Sequence, residues 1–346
     1  MNKHNSSKAL ILVIGLLIVL AATFFTNTKN LNKLDFFGLE VPVVPLKVGT
    51  NLWLGYEPLY LARSLGYFEN EPIRLVEYTS ATQAIRAYRN NTIQATTLTL
   101  DEVLLLLEVG LDPRVILVVD ISNGGDVIMA KPEIKSLSEL KGRRVGVENT
   151  ALGAFFLTRA LEAVGLSNSD IIIVDSEIDE HESMFLKDEI DAVVTFEPIR
   201  SRMLTQGAHV IFDSSKIPGE IVDVLVVSND TLLRYPEKVE TLLQGWFKTL
   251  DYIKTQPKEA AIKMAPRLKV STEAVLSSYK DMIWPDLEEN LRLMAGLEAP
   301  LLKTATQLAS KMLQTHLLQR EVVLTDFIEP SVLKNIRGAV STASLE

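Results

Sequence analysis

Aromatic, hydroxyl and acidic side chains stand where the apolar strand patterns of this chain give way to helical ones. The clearest case is NLWLGYEPLYLARSLGYF (51–68), in which Trp53, Gly55 and Tyr56 come directly before a helical pattern. Large aromatic side chains beside a glycine suit stacking on a planar or apolar molecule. Strand-to-helix junctions are also where α/β proteins usually hold small molecules. This pattern therefore predicts a site that binds a small molecule.

The same rule extends the candidate site, because ligands lie at the carboxyl ends of strands, near helix N-termini. Two of the acids have a second interpretation. Glu197 also suits a helix cap and Asp223 a surface hinge, so both interpretations stay open for them. The full set of predicted ligand-binding residues is Trp53, Gly55, Tyr56, Thr97, Asp101, Ser122, Asn123, Thr150, Leu152, Glu197 and Asp223.

Alternatives also stay open for the middle of this set. Thr99 is expected to cap the helix that follows it, and strand alternation is expected to turn Thr97 to the opposite side, toward a ligand. Asp101 also suits the dipole at a helix N-terminus. Ser122 and Asn123 also suit the turn of a hinge.

Composition narrows the function classes. The chain has 346 residues and a formal net charge of −9, which argues against a nucleic-acid surface. It has no cysteine, which excludes disulfides, thiolate nucleophiles and cysteine-ligated metals, and its four histidines are widely spaced. Neither a Gly-x-Ser-x-Gly elbow nor a Walker-type phosphate loop is present. We therefore predict that the protein is not an enzyme and needs no metal and no cofactor.

The N-terminus has the pattern of a targeting or anchoring segment. A basic start precedes ALILVIGLLIVLAATFF (9–25), which carries no charge. This order is typical of a signal peptide, but two phenylalanines stand where a cleavage site needs small residues, so an uncleaved anchor stays equally open. Either form places the rest of the chain outside the cytoplasm, in the periplasm. The prediction is a signal peptide or membrane anchor over 1–26 and a tether over 27–45.

From Leu46 onward, strand and helix patterns alternate, which predicts parallel sheets covered by helices. RVILVVDIS (114–122) is apolar almost throughout, as is typical of a buried parallel strand. The pattern breaks near 122–127 and returns near 214–223, which indicates two crossings between lobes. The C-terminal part is mostly helical. The predicted domains are lobe 1 over 46–122 and 223–346, and an inserted lobe 2 over 127–220.

Three segments carry a family resemblance: GYEPLYLARSLGYFE (55–69), SNGGDVIMAKPEIKSLSELKGRRVGVE (122–148) and DAVVTFEPIRSRMLTQGAHVIFDS (191–214). They resemble the periplasmic substrate-binding proteins of ABC importers, above all the nitrate/sulfonate/taurine and thiamine-pyrimidine-precursor group. The resemblance covers the chain from about Leu46 to about Ile253. It departs from the family's lipidated members, because there is no cysteine to lipidate.

This resemblance implies an α/β, two-lobed periplasmic-binding-protein-like fold of type II, with parallel-rich sheets, a two-strand hinge and C-terminal helices. The lobes would close over a small molecule and deliver it to an ABC permease in the inner membrane. The resemblance also implies that the cleft is lined by 53–56, 97–99, 122–123, 150–153 and Glu197.

The ligand is expected to be a neutral or cationic heteroaromatic molecule or an amine, rather than nitrate or a sulfonate. The predicted junctions carry Asp101, Glu197 and Asp223 and no Lys or Arg at a strand end, and acids disfavour an uncompensated anion. One alternative is a ligand sensor of the same fold, held to the membrane by an uncleaved 9–25. Another is an enzyme similar to the fungal pyrimidine synthases, which use iron, a cysteine motif and one of their own histidines.

Overall fold

A computed structural model describes residues 44–69, 71–148 and 151–343. The predicted signal or anchor segment and nearly all of the predicted tether lie outside the described residues. So does Thr150. Among the residues described, no helix is both long and apolar enough to cross a membrane. From Pro45 onward the chain forms one compact unit.

Eleven strands are found in the described residues, and they form two sheets. In chain order they are β1 Leu46–Thr50, β2 Ile73–Glu77, β3 Ala95–Thr99, β4 Pro113–Ser122, β5 Asp126–Ala130, β6 Arg144–Val147, β7 Ile172–Asp175, β8 Ala192–Phe196, β9 His209–Asp213, β10 Val222–Ser228 and β11 Met282–Ile283. The first sheet has the order β11-β4-β10-β3-β1-β2, and the second has the order β7-β6-β8-β5-β9.

The α-helices of the described residues follow most of these strands and then fill the C-terminal part. They are α1 Glu57–Ser64, α2 Ala81–Arg89, α3 Leu100–Glu108, α4 Ala151–Glu162, α5 His181–Leu186, α6 Ile199–Thr205, α7 Asn229–Arg234, α8 Pro236–Thr255, α9 Pro257–Leu268, α10 Thr272–Ser278, α11 Leu287–Met294, α12 Pro300–Gln314 and α13 Ser331–Ala343. Proline begins three of the C-terminal helices, where its missing N–H has no partner to lose. Helix α8 packs on α1, and α12 packs on α3.

Strand direction in the first sheet differs in part from the prediction. β1 pairs in parallel with β2 and with β3, as the alternation of strands and helices requires. β4, however, is antiparallel to both of its neighbours, β10 and β11, so the expectation of a parallel strand over 114–122 is wrong. Its continuous apolar pattern reflects burial on both faces, which a central antiparallel strand can share with a parallel one.

The chain crosses between the sheets twice, directly after β4 and directly before β10. At the first crossing Gly124 has a φ of 118°, a conformation that glycine adopts without strain. The backbone N–H of Gly124 donates to Oγ of Ser214, which lies at the second crossing, at 2.7 Å. The hydroxyl of Ser122 is also 2.7 Å from the same Oγ. The two crossings are therefore hydrogen-bonded side by side.

Apolar packing continues from the first sheet to one face of the second. Val127 and Met129 of β5 join the core of the first sheet, whereas Ile128 and Ala130 join a separate core on the opposite face. This alternation is the period-two pattern of a strand that is buried on both faces. The two sheets are thus held together by apolar contacts as well as by the two crossings.

Candidate functional site

The aromatic corner after β1 forms one wall of a cavity between the two sheets. Asn51 fixes the turn, because its Oδ1 accepts a hydrogen bond from the backbone N–H of Trp53 at 2.9 Å. A short 3₁₀ turn over Leu54–Tyr56 then leads into α1. Trp53 and Tyr56 are both almost fully buried, and both line the cavity.

Gly55 serves this corner without lining the cavity. A Cβ atom at this position would lie 2.0 Å from Oδ2 of Asp120 and 2.2 Å from Nε1 of Trp53, so only glycine fits. The space that it leaves lets the indole N–H of Trp53 donate to Oδ2 of Asp120 at 3.1 Å. Gly55 thus packs closely behind the aromatic wall, and its contact with a ligand stays a prediction.

The opposite wall comes from the second sheet, at the end of β8. The ring of Phe196 meets that of Trp53 edge-on, with centroids 5.5 Å apart and an interplanar angle of 89°. Such edge-to-face pairs are the favoured geometry for aromatic rings. The cavity therefore lies between the corner that carries Trp53 and the end of β8, with Phe196 on its far side.

The cavity is narrow. Its volume is about 30 Å³. A ligand of one ring or more therefore needs the two sheets to move apart before it can bind. The described residues that line the cavity are Asn51, Trp53, Tyr56, Ala81, Thr99, Glu102, Asp126, Glu148, Leu152, Gly153, Phe156, Ile178, Val194, Phe196 and Asp223.

Four of these lining residues are acids, and the described lining residues include no Lys, Arg or His, with residues 149–150 outside this statement. Glu102 and Asp223 come from the first sheet and its helices, whereas Asp126 and Glu148 come from the second. All four are at least nine-tenths buried. The cavity is therefore acidic on both of its walls.

Strand register places a second buried acid beside Asp223. In the antiparallel pair of β10 with β4, Asp223 lies directly opposite Asp120. Burial, reinforced by the charge of Asp120, raises the pKa of Asp223 well above its ordinary value. The phenol of Tyr56 opposes this rise, since its hydroxyl donates to Oδ1 of Asp223 at 2.5 Å. Burial also raises the pKa of Tyr56, so the phenol stays protonated.

The neighbouring acids are shifted in the same direction. Burial raises the pKa of Asp120 to about 8 and that of Asp126 to about 7, although hydrogen bonds from Trp53 and Ser122 lower them in part. Burial raises the pKa of Glu102 as well, and the charge of Asp101 adds to that rise. Near neutral pH the cavity therefore holds a mixture of carboxylates and carboxylic acids, which can accept from a ligand's N–H groups and also donate to it.

Of the predicted site residues, Trp53, Tyr56, Leu152 and Asp223 line the cavity. Thr97 does not line it, whereas Thr99 does, so the role of Thr97 in ligand binding stays a prediction. Residues two apart on a strand share a face, but Thr99 stands at the end of β3, where the cavity lies, and Thr97 is two residues deeper in the sheet.

Asp101 and Glu197 also fall outside the lining. Asp101 is buried in the first turn of α3, with the favourable position for an acid that a helix N-terminus offers. Glu197 accepts hydrogen bonds from the backbone N–H of Ser201 at 3.2 Å and from its hydroxyl at 3.0 Å. These are the contacts that the capping interpretation of Glu197 requires, and its ligand role stays a prediction.

Ser122 and Asn123 belong to the crossing between the sheets rather than to the cavity. The hydroxyl of Ser122 accepts from the backbone N–H of Asp126 at 3.2 Å, and the backbone N–H of Asn123 donates to the carbonyl of Asp281 at 2.8 Å. Their interpretation as hinge turn residues fits these contacts. They support the site indirectly, because the hydroxyl of Ser122 holds the backbone of Asp126, whose side chain lines the cavity.

Sequence reasoning missed Glu102, Asp126, Glu148 and Phe156. Glu148 directly follows β6, so the rule about the carboxyl ends of strands would have found it had it been applied there. Asp126 begins β5 directly after Gly124 and Gly125, so it stands at the start of a strand, where the rule about carboxyl ends does not apply. Among the described residues, no group of three or more His, Asp or Glu side chains is arranged to hold a metal ion.

Comparison with known proteins agrees with this architecture. The family described as NMT1/THI5 like matches residues 54–260. A curated relative from Haemophilus influenzae, named as a putative thiamine biosynthesis protein, is 25% identical over 138 residues, which cover 39% of this chain and 43% of that protein. The chain thus spans less than half the length of this relative.

Solved structures share the fold at low identity. The alkanesulfonate-binding protein SsuA from Xanthomonas axonopodis pv. citri, bound to MOPS, has a TM-score of 0.72 at 16% identity and covers 84% of this chain and 100% of its own. The aliphatic sulphonate-binding SsuA of Escherichia coli has a TM-score of 0.65 at 18% identity, with 82% and 95% covered. The desulfurization enzyme DSZB has a TM-score of 0.61 at 18% identity, with 85% and 99% covered. The predicted two-lobed α/β fold of periplasmic binding proteins is confirmed.

Proposed function

The chain belongs to the NMT1/THI5-like family, and from that premise we propose that it is an extracytoplasmic solute-binding protein of an ABC importer. It would capture a small organic molecule between its two sheets and deliver it to a permease of the inner membrane. The observation that carries the proposal is the narrow cavity whose walls come from both sheets, with Trp53 and Phe196 facing each other. A ligand that contacts both walls binds the closed arrangement better than the open one, which is the requirement for ligand-driven closure.

The proposed ligand is a neutral or cationic heteroaromatic molecule or an amine. Two of the neighbours named above are sulfonate-binding proteins, but here the described lining has four acids and no cationic side chain. At a distance of about 5 Å and an effective dielectric constant of about 20, one carboxylate repels one sulfonate by about 3 kcal/mol. An N–H donor or an ammonium group meets attraction at the same positions, and the aromatic walls suit a flat ring.

Calorimetric titration of the full-length protein tests both the function and the ligand class. The panel would contain an aminopyrimidine, a primary amine, an alkanesulfonate and nitrate, and the fluorescence of Trp53 would report occupancy of the cavity. We expect binding of the first or second class with a change in fluorescence that Trp53→Phe removes. Binding of the alkanesulfonate alone would contradict the ligand class, and no binding by a folded protein across the panel would contradict solute binding.

A membrane-tethered sensor is the second candidate, and the charge-free run 9–25 is the observation that favours it. The mature N-terminus distinguishes the two. Intact mass of the protein isolated from its host should show loss of about the first 26 residues if it is a released periplasmic receptor. Retention of these residues would support tethering to the outer face of the membrane.

Catalysis is not part of the proposal. The described lining offers no cysteine, histidine or lysine to act as a nucleophile, and its acids serve to bind donors. After incubation of the protein with a bound ligand from the panel, mass spectrometry should recover the ligand unchanged. Formation of a product, with or without added iron, would instead favour an enzyme of this fold.

A further inference from the structure

Glu148 reaches from one lobe to the other. It directly follows β6 of the second sheet, yet its Oε1 accepts a hydrogen bond from the hydroxyl of Thr82 at 2.8 Å and another from the backbone N–H of Thr82 at 3.1 Å. Thr82 lies in the first turn of α2, which packs on the first sheet. Glu148 is 7% exposed and also lines the cavity.

This contact occupies a position that would otherwise suit an anionic ligand. The N-terminal N–H groups of a helix attract anions, because they lack intrahelical partners and the helix dipole is positive there. At α2, Ser80 Oγ accepts a hydrogen bond from the backbone N–H of Gln83 at 3.3 Å, and Glu148 accepts one from the backbone N–H of Thr82. The N–H groups at the helix end that faces the cavity are therefore hydrogen-bonded to side chains of the protein itself.

A second helix end on the cavity is served in the same way. The backbone N–H of Thr99, at the start of α3, donates to Oε2 of Glu102 at 3.0 Å. Glu102 lies on the same lobe as the helix that it caps, so this contact persists whatever the lobes do. Glu148 differs, because its contact with Thr82 exists only when the two lobes are together.

We propose that Glu148 is a specificity-determining residue that excludes anionic ligands through closure itself. In the open state the α2 N-terminus is exposed to any anion, but the closed state requires Glu148 to take that position. An anionic ligand at the α2 N-terminus displaces Glu148, and the closed state then loses two hydrogen bonds across the lobes and gains two like charges in contact. A neutral or cationic ligand leaves the contact in place. This inference rests on the proposed function, since it concerns the selectivity of the same cavity.

The test compares Glu148→Gln with the wild type in the full chain, using methanesulfonate as the anionic probe. Glutamine keeps an oxygen that can accept from Thr82 but carries no charge. Because like charges in contact cost several kcal/mol, we expect methanesulfonate to bind the variant at least about tenfold more tightly than the wild type. Glu189→Gln is the matched control, since it makes the same change at an exposed position of the same lobe and should leave the affinity unchanged.

Thr82→Val separates specificity from a merely structural role. It removes one of the two donors at the α2 N-terminus, which serves Glu148 when a neutral or cationic ligand is bound and would serve the anion when the anion displaces Glu148. The affinity for every ligand should therefore fall by a similar factor. The affinity ratio of methanesulfonate to the amine probe should therefore rise in Glu148→Gln and stay constant in Thr82→Val. A rise of less than about twofold for methanesulfonate in Glu148→Gln would overturn the inference.

The outcomes for the two proposals are distinguishable. Gain of methanesulfonate binding in Glu148→Gln supports the inference whether or not the amine or aminopyrimidine binds the wild type. Failure of those probes in the wild type counts against the proposed ligand class alone. Tight binding of methanesulfonate by the wild type, unchanged in the variant, would overturn both.

Discussion

Replacing Trp53 by phenylalanine should destabilise the protein by an amount that grows with pH. The indole N–H donates to Oδ2 of the fully buried Asp120 at 3.1 Å, and burial raises the pKa of Asp120 to about 8 even though this hydrogen bond lowers it. Asp120 is therefore mainly protonated near about pH 6 and mainly ionised near about pH 9.5. Phenylalanine keeps an aromatic ring against Phe196 but has no N–H to donate.

The magnitude follows from the charge of the acceptor. A hydrogen bond to a neutral group contributes about 0.5–1.5 kcal/mol, and one to a charged group about 1.5–3 kcal/mol. The part of the loss in unfolding free energy that comes from this hydrogen bond should thus rise from about 1 kcal/mol near about pH 6 to about 2–3 kcal/mol near about pH 9.5. The smaller ring also leaves a cavity, but the cost of that cavity is the same at both pH values and cancels in the difference.

Urea unfolding followed by far-ultraviolet circular dichroism measures this difference. Asp120→Asn is the matched control, because an amide does not titrate, and in that background the cost of Trp53→Phe should not depend on pH. The reasoning is refuted if the cost of Trp53→Phe is equal at both pH values. It is refuted equally if the increase with pH persists after Asp120 has been replaced.

Three further predictions concern stability and are all measured by urea unfolding. The unfolding free energy should fall as the pH rises from about 4 to about 7, because buried Asp126, with a pKa raised to about 7, holds a proton that the unfolded chain releases. The slope should be up to about 1.4 kcal/mol per pH unit for each acid whose pKa burial raises in this way. Asp126→Asn should flatten this slope. Asn290→Leu should lower the unfolding free energy by about 2–4 kcal/mol, because leucine leaves the N–H and the carbonyl of Val118 unpaired. The buried Asn290 side chain accepts from that N–H at 2.7 Å and donates to that carbonyl at 3.1 Å. A loss of unfolding free energy below the range given above for one hydrogen bond would contradict this. Arg200→Gln should cost no more than about 1 kcal/mol, because its ion pair with Asp281 is partly exposed, and the cost should shrink at high salt; a cost that salt leaves unchanged would speak against an ionic origin.

The parts of the fold that depend on neighbours in the sequence could be predicted. The alternation of strands and helices, the two crossings and the aromatic corner are local patterns, and the corner does contribute Trp53 and Tyr56 to the cavity. The position of Leu152 near the start of α4 followed from the rule about helix N-termini. These predictions needed only periodicity, strand ends and the chemistry of single side chains.

The parts that depend on pairing between distant segments could not be predicted. The sequence of β4 has the same apolar pattern whether its neighbours are parallel or antiparallel, so its antiparallel pairing with β10 and β11 was not predicted. The pairing of Asp223 with Asp120 and the contact of Glu148 with Thr82 join segments whose register no local pattern sets. An acid on a strand can be recognised in the sequence, but its neighbour across the sheet cannot.

The two crossings have a consequence for how such a protein can be rebuilt. β4 and β10 are adjacent antiparallel strands, and Ile121 lies opposite Val222, although the whole second sheet intervenes in the chain. A two-residue reverse turn is enough to join neighbours of this kind. The second sheet with its helices is therefore an insertion between two strands that a short turn could join, and a different insertion could be placed at the same two ends. One wall of the cavity could then be exchanged while the frame that carries Trp53 and Tyr56 stays intact.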